Sequence, residues 1–479
     1  MSDESQSSTV EAPDSPESPA GAPVRYTPGR TLRRYILWYA LVSIAITAVW
    51  GGAGAILIPN QVQDLIFSTI FLGGDAHVNL VQLTNLKAAV AAGNATATPD
   101  QTRLFGLLTT FEAARVTALA LVTSVGTIGT LIAQPLVGVL SDRTRSRLGR
   151  RAPWILYGGL LGAILIVAVR YAPSIALLVV FWTLTSIVLN ASMTPMMATV
   201  ADRVPEDRLG TASAMGGLGN FLGGILGGAL AGGLFALIGF DFYFVLAMLV
   251  AVAVILFVVL NRDRSSNDSR REPLHWKRFL LGFLVPLRDR DFRWVWISRV
   301  FLLFGFTISS TLSLYMLQSF VRPAMSQTQA SAMAPLLTVV GLPFTIITLL
   351  VAGRWSDKIS RRKPFVIVAG SLMATSMVIP LISPTVPALF AQSILACTAF
   401  GIFLPVDQAL FVDVLPDRTA SAGRDLGIAA MATNIGQALA PILAAQIVVL
   451  TGGYSMVWAA GLVLAATAAL TMLRVKGVR

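Results

Sequence analysis

The charged side chains of this chain fall into a pattern that occurs twice. Gly138, Ser141, Asp142 and Arg143 reappear in the same order and spacing as Gly353, Ser356, Asp357 and Lys358. More bases follow each set: Arg145, Arg147, Arg150 and Arg151 after the first, Arg361, Arg362 and Lys363 after the second. Downstream, Asp202, Arg203 and Pro205 are matched by Asp413 and Pro416, with Arg418 beyond. An acid among guanidinium and ammonium groups makes charge-assisted hydrogen bonds, so the chemistry on offer is the making and breaking of ion pairs. Catalysis would need a nucleophile, base or metal cluster, and none is gathered in the sequence. Two histidines, His77 and His275, and one cysteine, Cys397, cannot build a His-rich metal site or a disulfide. No metal and no cofactor is expected, and without a phosphate loop ATP coupling is excluded.

A second group of polar residues lies inside long apolar runs. Asn190, Asn220, Asn434 and Gln437 fall near the middle of such runs, with Tyr315 and Gln318 further out. Amides beside aromatics suit a hydroxyl-rich solute, because they offer donors and acceptors together. Each amide serves equally well as a hydrogen bond between helices. Asn220 and Gln437 occupy equivalent places in the repeat, each one residue after a glycine, Gly219 or Gly436. Arg299 and Asp407 are the deepest charges of the second half, at comparable depth. Charges so placed are rare and usually paired or functional, and the fold implied by the resemblance given below sets their two helices together, so the two are expected to pair beside a pathway, Asp407 as the titrating coupling group. A static pair, or Arg299 snorkelling to the surface, is the alternative.

The elements that position these residues follow from composition. The 479 residues are 55% hydrophobic and only 13% charged, with a mean hydropathy of +0.72. Soluble domains carry roughly 25% charged residues. A span needs about 20 apolar residues, and runs of that length can be placed at 35–58, 116–140, 154–172, 174–199, 211–238 and 242–260. Six more follow at 294–320, 333–352, 364–382, 386–412, 427–450 and 454–473. The expectation is an all-α membrane protein with twelve transmembrane helices, since an open sheet cannot satisfy its edges in lipid.

The net charge of +12 suggests nucleic acid until it is mapped. With both termini inside, most of the 36 Lys and Arg fall in cytoplasmic loops and ends, as the positive-inside rule demands, so no nucleic-acid partner is expected. Residues 1–32 open on an acidic, Pro/Ser-rich stretch and read as a disordered cytoplasmic tail without a signal sequence. The duplicated motifs then divide the chain into bundles of six helices at 33–260 and 294–479. Between them, 261–293 reads as a cytoplasmic linker with an amphipathic helix at 274–287. A long extracytoplasmic loop, 59–115, reads as a surface insertion or as a cap over an entrance. Glycines along 216–233 predict a helix that packs closely on a neighbour.

The doubled charged loop between the second and third helix of each unit, GVLSDRTRSRLGRRAP and GRWSDKISRRKP, resembles the signature loop of the major facilitator superfamily. The resemblance covers the chain from about residue 33 onward. It implies the two-bundle fold, transport by alternating access, and a gating role for Gly138, Asp142, Arg143, Arg150, Arg151, Gly353, Asp357, Lys358, Arg361 and Arg362. A pure topology anchor is the plainer reading of the same bases. The longer form, SDRTRSRLGRRAPWI, is similar to the branch of glycoside–cation symporters and sucrose carriers, although the first helix lacks the acid of the sodium–melibiose type. Asp202, Arg203, Asp413 and Arg418 read as helix-end ion pairs at the surface that could couple to the gate. The partners implied are a small-molecule solute, a coupling cation with the proton first, and membrane lipid, for a monomer in the cell's inner (plasma) membrane. Drug or metabolite export is the alternative, weakened because the glycine-rich helix lacks the Gly-Pro ending of drug antiporters. A non-transporting receptor or scaffold is the alternative from another class.

Overall fold

A computed structural model describes residues 26, 29–262, 288–359, 361–414 and 422–475. The acidic opening, the amphipathic stretch 274–287 and Arg418 lie outside the described residues. Backbone groups in lipid must bond within their own segment, and the described chain is helical throughout its apolar runs. Eleven stretches are long and apolar enough to cross a membrane. One of them, Leu209–Leu260, holds two helices separated by a turn at Gly239, whose φ of 52° favours glycine, which brings the crossings to twelve.

In the first half the helices are α1 (Arg30–Ile70), α2 (Leu80–Ala91), α3 (Pro99–Asp142), α4 (Ala152–Arg170), α5 (Ile175–Arg203), α6 (Leu209–Ile238) and α7 (Phe242–Leu260). The second half has α8 (Arg290–Thr311), α9 (Ser313–Ser319), α10 (Gln327–Ile359), α11 (Lys363–Ile382), α12 (Val386–Asp413), α13 (Ala422–Thr451) and α14 (Ser455–Met472). Packing repeats with the sequence. In the first half α1 packs on α6, α3 on α5, and α4 on both α5 and α7. The second half does the same with α8 on α13, α10 on α12, and α11 on both α12 and α14. The halves meet through α3 against α13 and α6 against α10, contacts that exchange under the same symmetry.

Glycines set the closest of these packings. Gly216, Gly219, Gly223 and Gly227 lie on one face of α6, and Cβ atoms there would strike Tyr39, Ala40, Ile44 and Ala48 of α1. The facing part of α1 widens into a π-helical stretch, Trp50–Leu57, where Gly51 meets the Gly224 backbone. Gly232 makes the corresponding close approach across the seam, to Ser331 and Pro335 of α10. Gly138 and Gly353 are different. A Cβ would find its nearest neighbour at 3.9 Å and 3.6 Å, ordinary contact distances, so neither position is a close helix approach.

The segment expected to be a long loop, 59–115, is mostly helical. α1 continues to Ile70, and Thr98 starts α3 early through a capping box, accepting from Gln101 N at 3.2 Å while Gln101 Oε1 accepts from Thr98 N at 2.9 Å. Asn79 caps α2 by accepting from Val81 N and Gln82 N. Phe67, Phe71, Leu83, Leu108 and Phe111 form a small core of their own beneath α2. This cap is strapped by Arg103, whose Nη1 and Nη2 donate to the two oxygens of Asp75 at 2.7 and 2.8 Å. It also reaches the second half, since Ala324 N donates to Asn85 Oδ1 at 2.9 Å.

Two measurements test this packing. Gly227→Val should lower the unfolding temperature in detergent, with overpacking costing about 1–3 kcal/mol, while Gly217→Val, which faces open space, should leave it unchanged. In the cap, the bidentate Arg103 bonds hold the Asp75 carboxyl below its usual range. A depressed carboxylate stabilises above its unfolded pKa of about 3.9 and loses that contribution as pH falls through the lower folded value. A spin-label distance between α2 and α3 should therefore stay constant from pH 7 to about pH 5 and lengthen only in stronger acid. Asp75→Asn should lengthen it at neutral pH.

Candidate functional site

Polar groups that connect helices gather at three levels. At the end that carries the charged loops, Arg151 stands at the start of α4 with 9% of its side chain exposed. Its Nη1 lies 3.0 Å from Asp142 Oδ1 at the end of α3, and its Nε donates to Asp202 near the end of α5. Arg150 Nη2 adds a second contact to Asp202 at 3.1 Å. The second half repeats the fork. Arg362 lies 3.8 Å from Asp357 and 2.6 Å from Asp413, and it also donates to the Ala409 carbonyl. Arg151 and Arg362 each stand two residues before a proline that occupies the first turn of the following helix.

These forks join what the sequence offered as two motifs. Asp202, expected as a surface partner of its neighbour Arg203, is half-buried and taken by Arg150 and Arg151. Arg203 is buried, donates to the Asn261 carbonyl at 2.9 Å and lies over the Tyr35 ring, so it ties α5 to α7 and α1. Asp142 and Asp357, with 54% and 71% of their side chains exposed, are the outer prongs. Arg143 is half-buried, whereas Lys358 and Arg361 are exposed. The fork contacts run within each half, across three helices, rather than across the seam.

At the opposite, capped end the halves are bonded to each other. Arg115 of α3 is buried, 2% exposed, and donates to four side chains. Gln63 Oε1 of α1 accepts at 3.1 Å, Gln318 Oε1 at 3.0 Å, Ser319 Oγ at 2.6 Å and Tyr454 Oη at 3.1 Å, the last three from the second half. Its guanidinium lies 4.4 Å from the Tyr315 ring centroid. Tyr315 Oη donates to the Pro59 carbonyl at 2.7 Å, Asn60 Nδ2 to Ser331 Oγ at 2.7 Å, and Gln327 Nε2 to Asp64 Oδ1 at 3.0 Å. Tyr315 and Gln318 are thus placed in a seal between the halves, away from the mid-membrane amides they were grouped with. Arg115 had no role in the sequence reading, where its place at the edge of an apolar run made it a helix-end base. The signal that could have marked it is a lone arginine two residues after Ala113 in a run otherwise free of bases up to Arg143.

Between these levels lie the deep charges. Arg299 Nη1 of α8 stands 2.7 Å from Asp407 Oδ2 of α12, with side-chain exposures of 9% and 3%. Arg299 Nη2 reaches Thr433 Oγ1 of α13 at 3.4 Å, and its guanidinium covers the Phe411 ring at 5.2 Å. The first half joins its equivalent helices, α1 and α5, with a neutral bond, Tyr35 Oη to Thr199 Oγ1 at 2.6 Å. Of the amides, Asn434 is half-buried beside Thr433 and Gln437 is exposed one turn on. Asn220 is half-buried with an unbonded Oδ1, and Asn190 is half-buried with Nδ2 donating to the Ser186 carbonyl of its own helix. Among the described residues no group of acids, histidines and cysteine is arranged to hold a metal.

The described polar contacts define a membrane protein of two pseudo-symmetric bundles, sealed to each other at one end and braced within each half at the other. A profile of the Major Facilitator Superfamily matches residues 34–348 and 314–478, and the chain belongs to that family. It is a multi-pass membrane protein of a family that moves small solutes across membranes. The General alpha-glucoside permease of Schizosaccharomyces pombe is 28% identical over 177 residues, 33% of this chain and 32% of the permease, so the match spans about a third of that relative. A nucleoside transporter has the same fold at a TM-score of 0.64 and 12% identity, over 92% of this chain and 99% of its own. So has a bacterial homologue of the human lysosomal transporter Spinster, inward-facing and unoccupied, at a TM-score of 0.57 and 12% identity over 93% of this chain and 94% of the other.

The forks generate an order of effects. Arg151→Gln and Arg362→Gln each remove the guanidinium shared by two acids, and hydrogen bonds to charged groups contribute about 1.5–3 kcal/mol, so transport should fall roughly tenfold or more with membrane insertion intact. Asp202→Asn and Asp413→Asn should impair transport more than Asp142→Asn and Asp357→Asn, whose exposed pairs are worth about 0–1 kcal/mol. Equal rates for all six variants in reconstituted vesicles would remove the forks from the gate.

Proposed function

We propose that this chain takes up a hydroxyl-rich solute, a sugar or glycoside, by alternating access, driven by protons through Asp407. The observation that carries the reading is the reach of Arg299 to Thr433. It ties the buried carboxylate on α12 to the helix on which Asn434 and Gln437 stand, so that the charge on Asp407 and the position of the amides are held by one guanidinium. The solute class draws support from those amides and from the alpha-glucoside permease that matches a third of the chain. The capped end is the extracytoplasmic one on the distribution of bases, and its seal with Arg115 leaves the solute path to the end of the forks. The protein then sits in the inner membrane with both termini inside.

Proton coupling works here through exclusion of an unpaired charge. With Arg299 engaged, ionised Asp407 is neutralised in a dry setting. Protonation releases the guanidinium from its carboxylate and leaves it to Thr433 and the amides, which changes the cost of holding the halves in one arrangement. Asp407→Asn should abolish pH-driven accumulation of methyl α-glucoside, maltose or sucrose in reconstituted vesicles while sparing downhill exchange of the solute transported. Accumulation at the wild-type level in that variant would overturn the coupling role. The exchange of charges, Arg299→Asp with Asp407→Arg, restores expression but not accumulation if the pair couples, and restores both if it only holds the fold.

A further inference from the structure

Above the Arg115 seal, toward the cap, lies a cavity of about 310 Å³ that is open on its outer side. Its walls come from both halves: Gln63 and Asp64 from α1, Thr84 from α2, Arg115 from α3, Gln318 from α9 and Gln327 from the start of α10. Phe67 and Phe111 supply flat apolar faces between these polar groups. The volume stands at the small end of ligand pockets, about 300–1,000 Å³, and fits a single sugar ring better than a long chain. Two polar atoms on the floor are buried without a hydrogen bond, Arg115 Nε and Gln318 Nε2, on side chains only 2% and 7% exposed. Unbonded buried donors of this kind carry a desolvation cost of about 1–3 kcal/mol each, which an oxygen-bearing occupant would relieve once a small shift of these two side chains opens them to the chamber. The charges in the wall are balanced, one Arg115 and one Asp64, so the chamber selects neither anion nor cation, and its amides offer donors and acceptors in pairs.

We propose that this chamber is a second solute site, distinct from the mid-membrane amides, which binds a hydroxyl-rich ring from the capped side and holds the two halves together. The proposal rests on the sugar reading for its ligand class. Its direction follows from linkage. The wall is complete only while α1, α2 and α3 stand against α9 and α10, so a ligand that touches both sides binds the sealed state more tightly than the parted one. Solute outside the membrane therefore slows its own entry at high concentration, because the seal must part before the central path opens to that side. The cap acquires a purpose in this arrangement. α2 supplies Thr84 and Val81 as the outer wall, and Asn85 on the same helix ties that wall to the second half through Ala324.

The test uses the full-length protein in vesicles, with Cys397→Ser as background and Val81→Cys as reporter, labelled by a membrane-impermeant maleimide from the capped side. Methyl α-glucoside, maltose and sucrose are the probes, with glycine as a zwitterionic control. At saturation a sugar should slow labelling at least fivefold, and its uptake rate should pass through a maximum and fall by half or more as its outside concentration rises. Val81→Trp, which fills the chamber without touching the seal bonds, should abolish the fall. Asp64→Asn, which keeps an acceptor for Gln327, should shift the falling phase to higher concentration. A sugar that is transported without protecting Val81→Cys overturns the site and leaves the uptake reading standing. Protection by a sugar that is not transported keeps the site and overturns the uptake reading, and protection by glycine alone overturns the ligand class. A falling phase that survives Val81→Trp overturns the coupling of the chamber to the seal.

Discussion

An arginine at the mouth of a helix, shared by carboxylates from the two helices beside it, is the interaction on which each half depends. Arg151 and Arg362 draw together the ends of three helices, α3, α4 and α5 in one half and α10, α11 and α12 in the other. The acids need this partner. An Asp at a helix C-terminus faces the negative end of the helix dipole, and a planar guanidinium meets two acids at once where an ammonium would meet one. Because the fork closes within a half, it braces that half without itself bonding the two halves to each other. Rigid bundles rocking about a shared path are the mechanical core of alternating access.

The two ends of the molecule solve different problems with the same kind of residue. At the forks, arginine meets carboxylates and the charge is cancelled on the spot. At the seal, Arg115 meets only neutral oxygens and aromatic faces among its described hydrogen bonds. Neutral partners bind a guanidinium less tightly than carboxylates do, and each can be exchanged for water at small cost. In the alternating access proposed above, a joint that parts on every cycle is better built from four modest bonds than from one buried ion pair, whose separation would strand a charge. The glycine face of α6 obeys the same division. Gly216 to Gly227 fix α6 to α1 inside the half, and Gly232 alone carries the close approach to α10 across the seam.

Much of this was legible in the amino-acid order, and the reasons differ by element. Twelve helices and two halves could be read because lipid imposes a length on every apolar run and because duplication left two copies of the loop around Asp142 and Asp357. That Arg299 and Asp407 meet followed from their comparable depth together with the fold the resemblance implied, which sets the seventh and tenth helices side by side. The cap was misread because its polar, Ala-rich composition hides α2, and Thr98 with Gln101 starts α3 well before the apolar run. Asp202 was assigned to its sequence neighbour Arg203, although its partners sit some fifty residues away in Arg150 and Arg151. Tyr315 and Gln318 were read as solute candidates further out than the mid-membrane amides, and at that height they take part in the seal. Arg115 was passed over for the opposite reason: its partners come from three separate elements, α1, α9 and the start of α14, and only the folded seam brings them together.

Symmetry makes the remaining differences between the halves informative. The same helix pair, first with fourth, is joined in the first half by the hydroxyls of Tyr35 and Thr199 and in the second by Arg299 and Asp407. A neutral hydroxyl pair does not change state across the physiological pH range, whereas a carboxylate held by one guanidinium can exchange that partner for a proton. If both halves carried such a pair, each cycle would have to balance two titrations against one solute. In the coupling proposed above, the first half serves as a fixed wall, and the position of α13 relative to α8 is the variable that protonation sets. Arg299 contacts both α12 and α13, through Asp407 and through Thr433, so on that proposal the asymmetry of the sequence within a symmetric fold gives the cycle its direction.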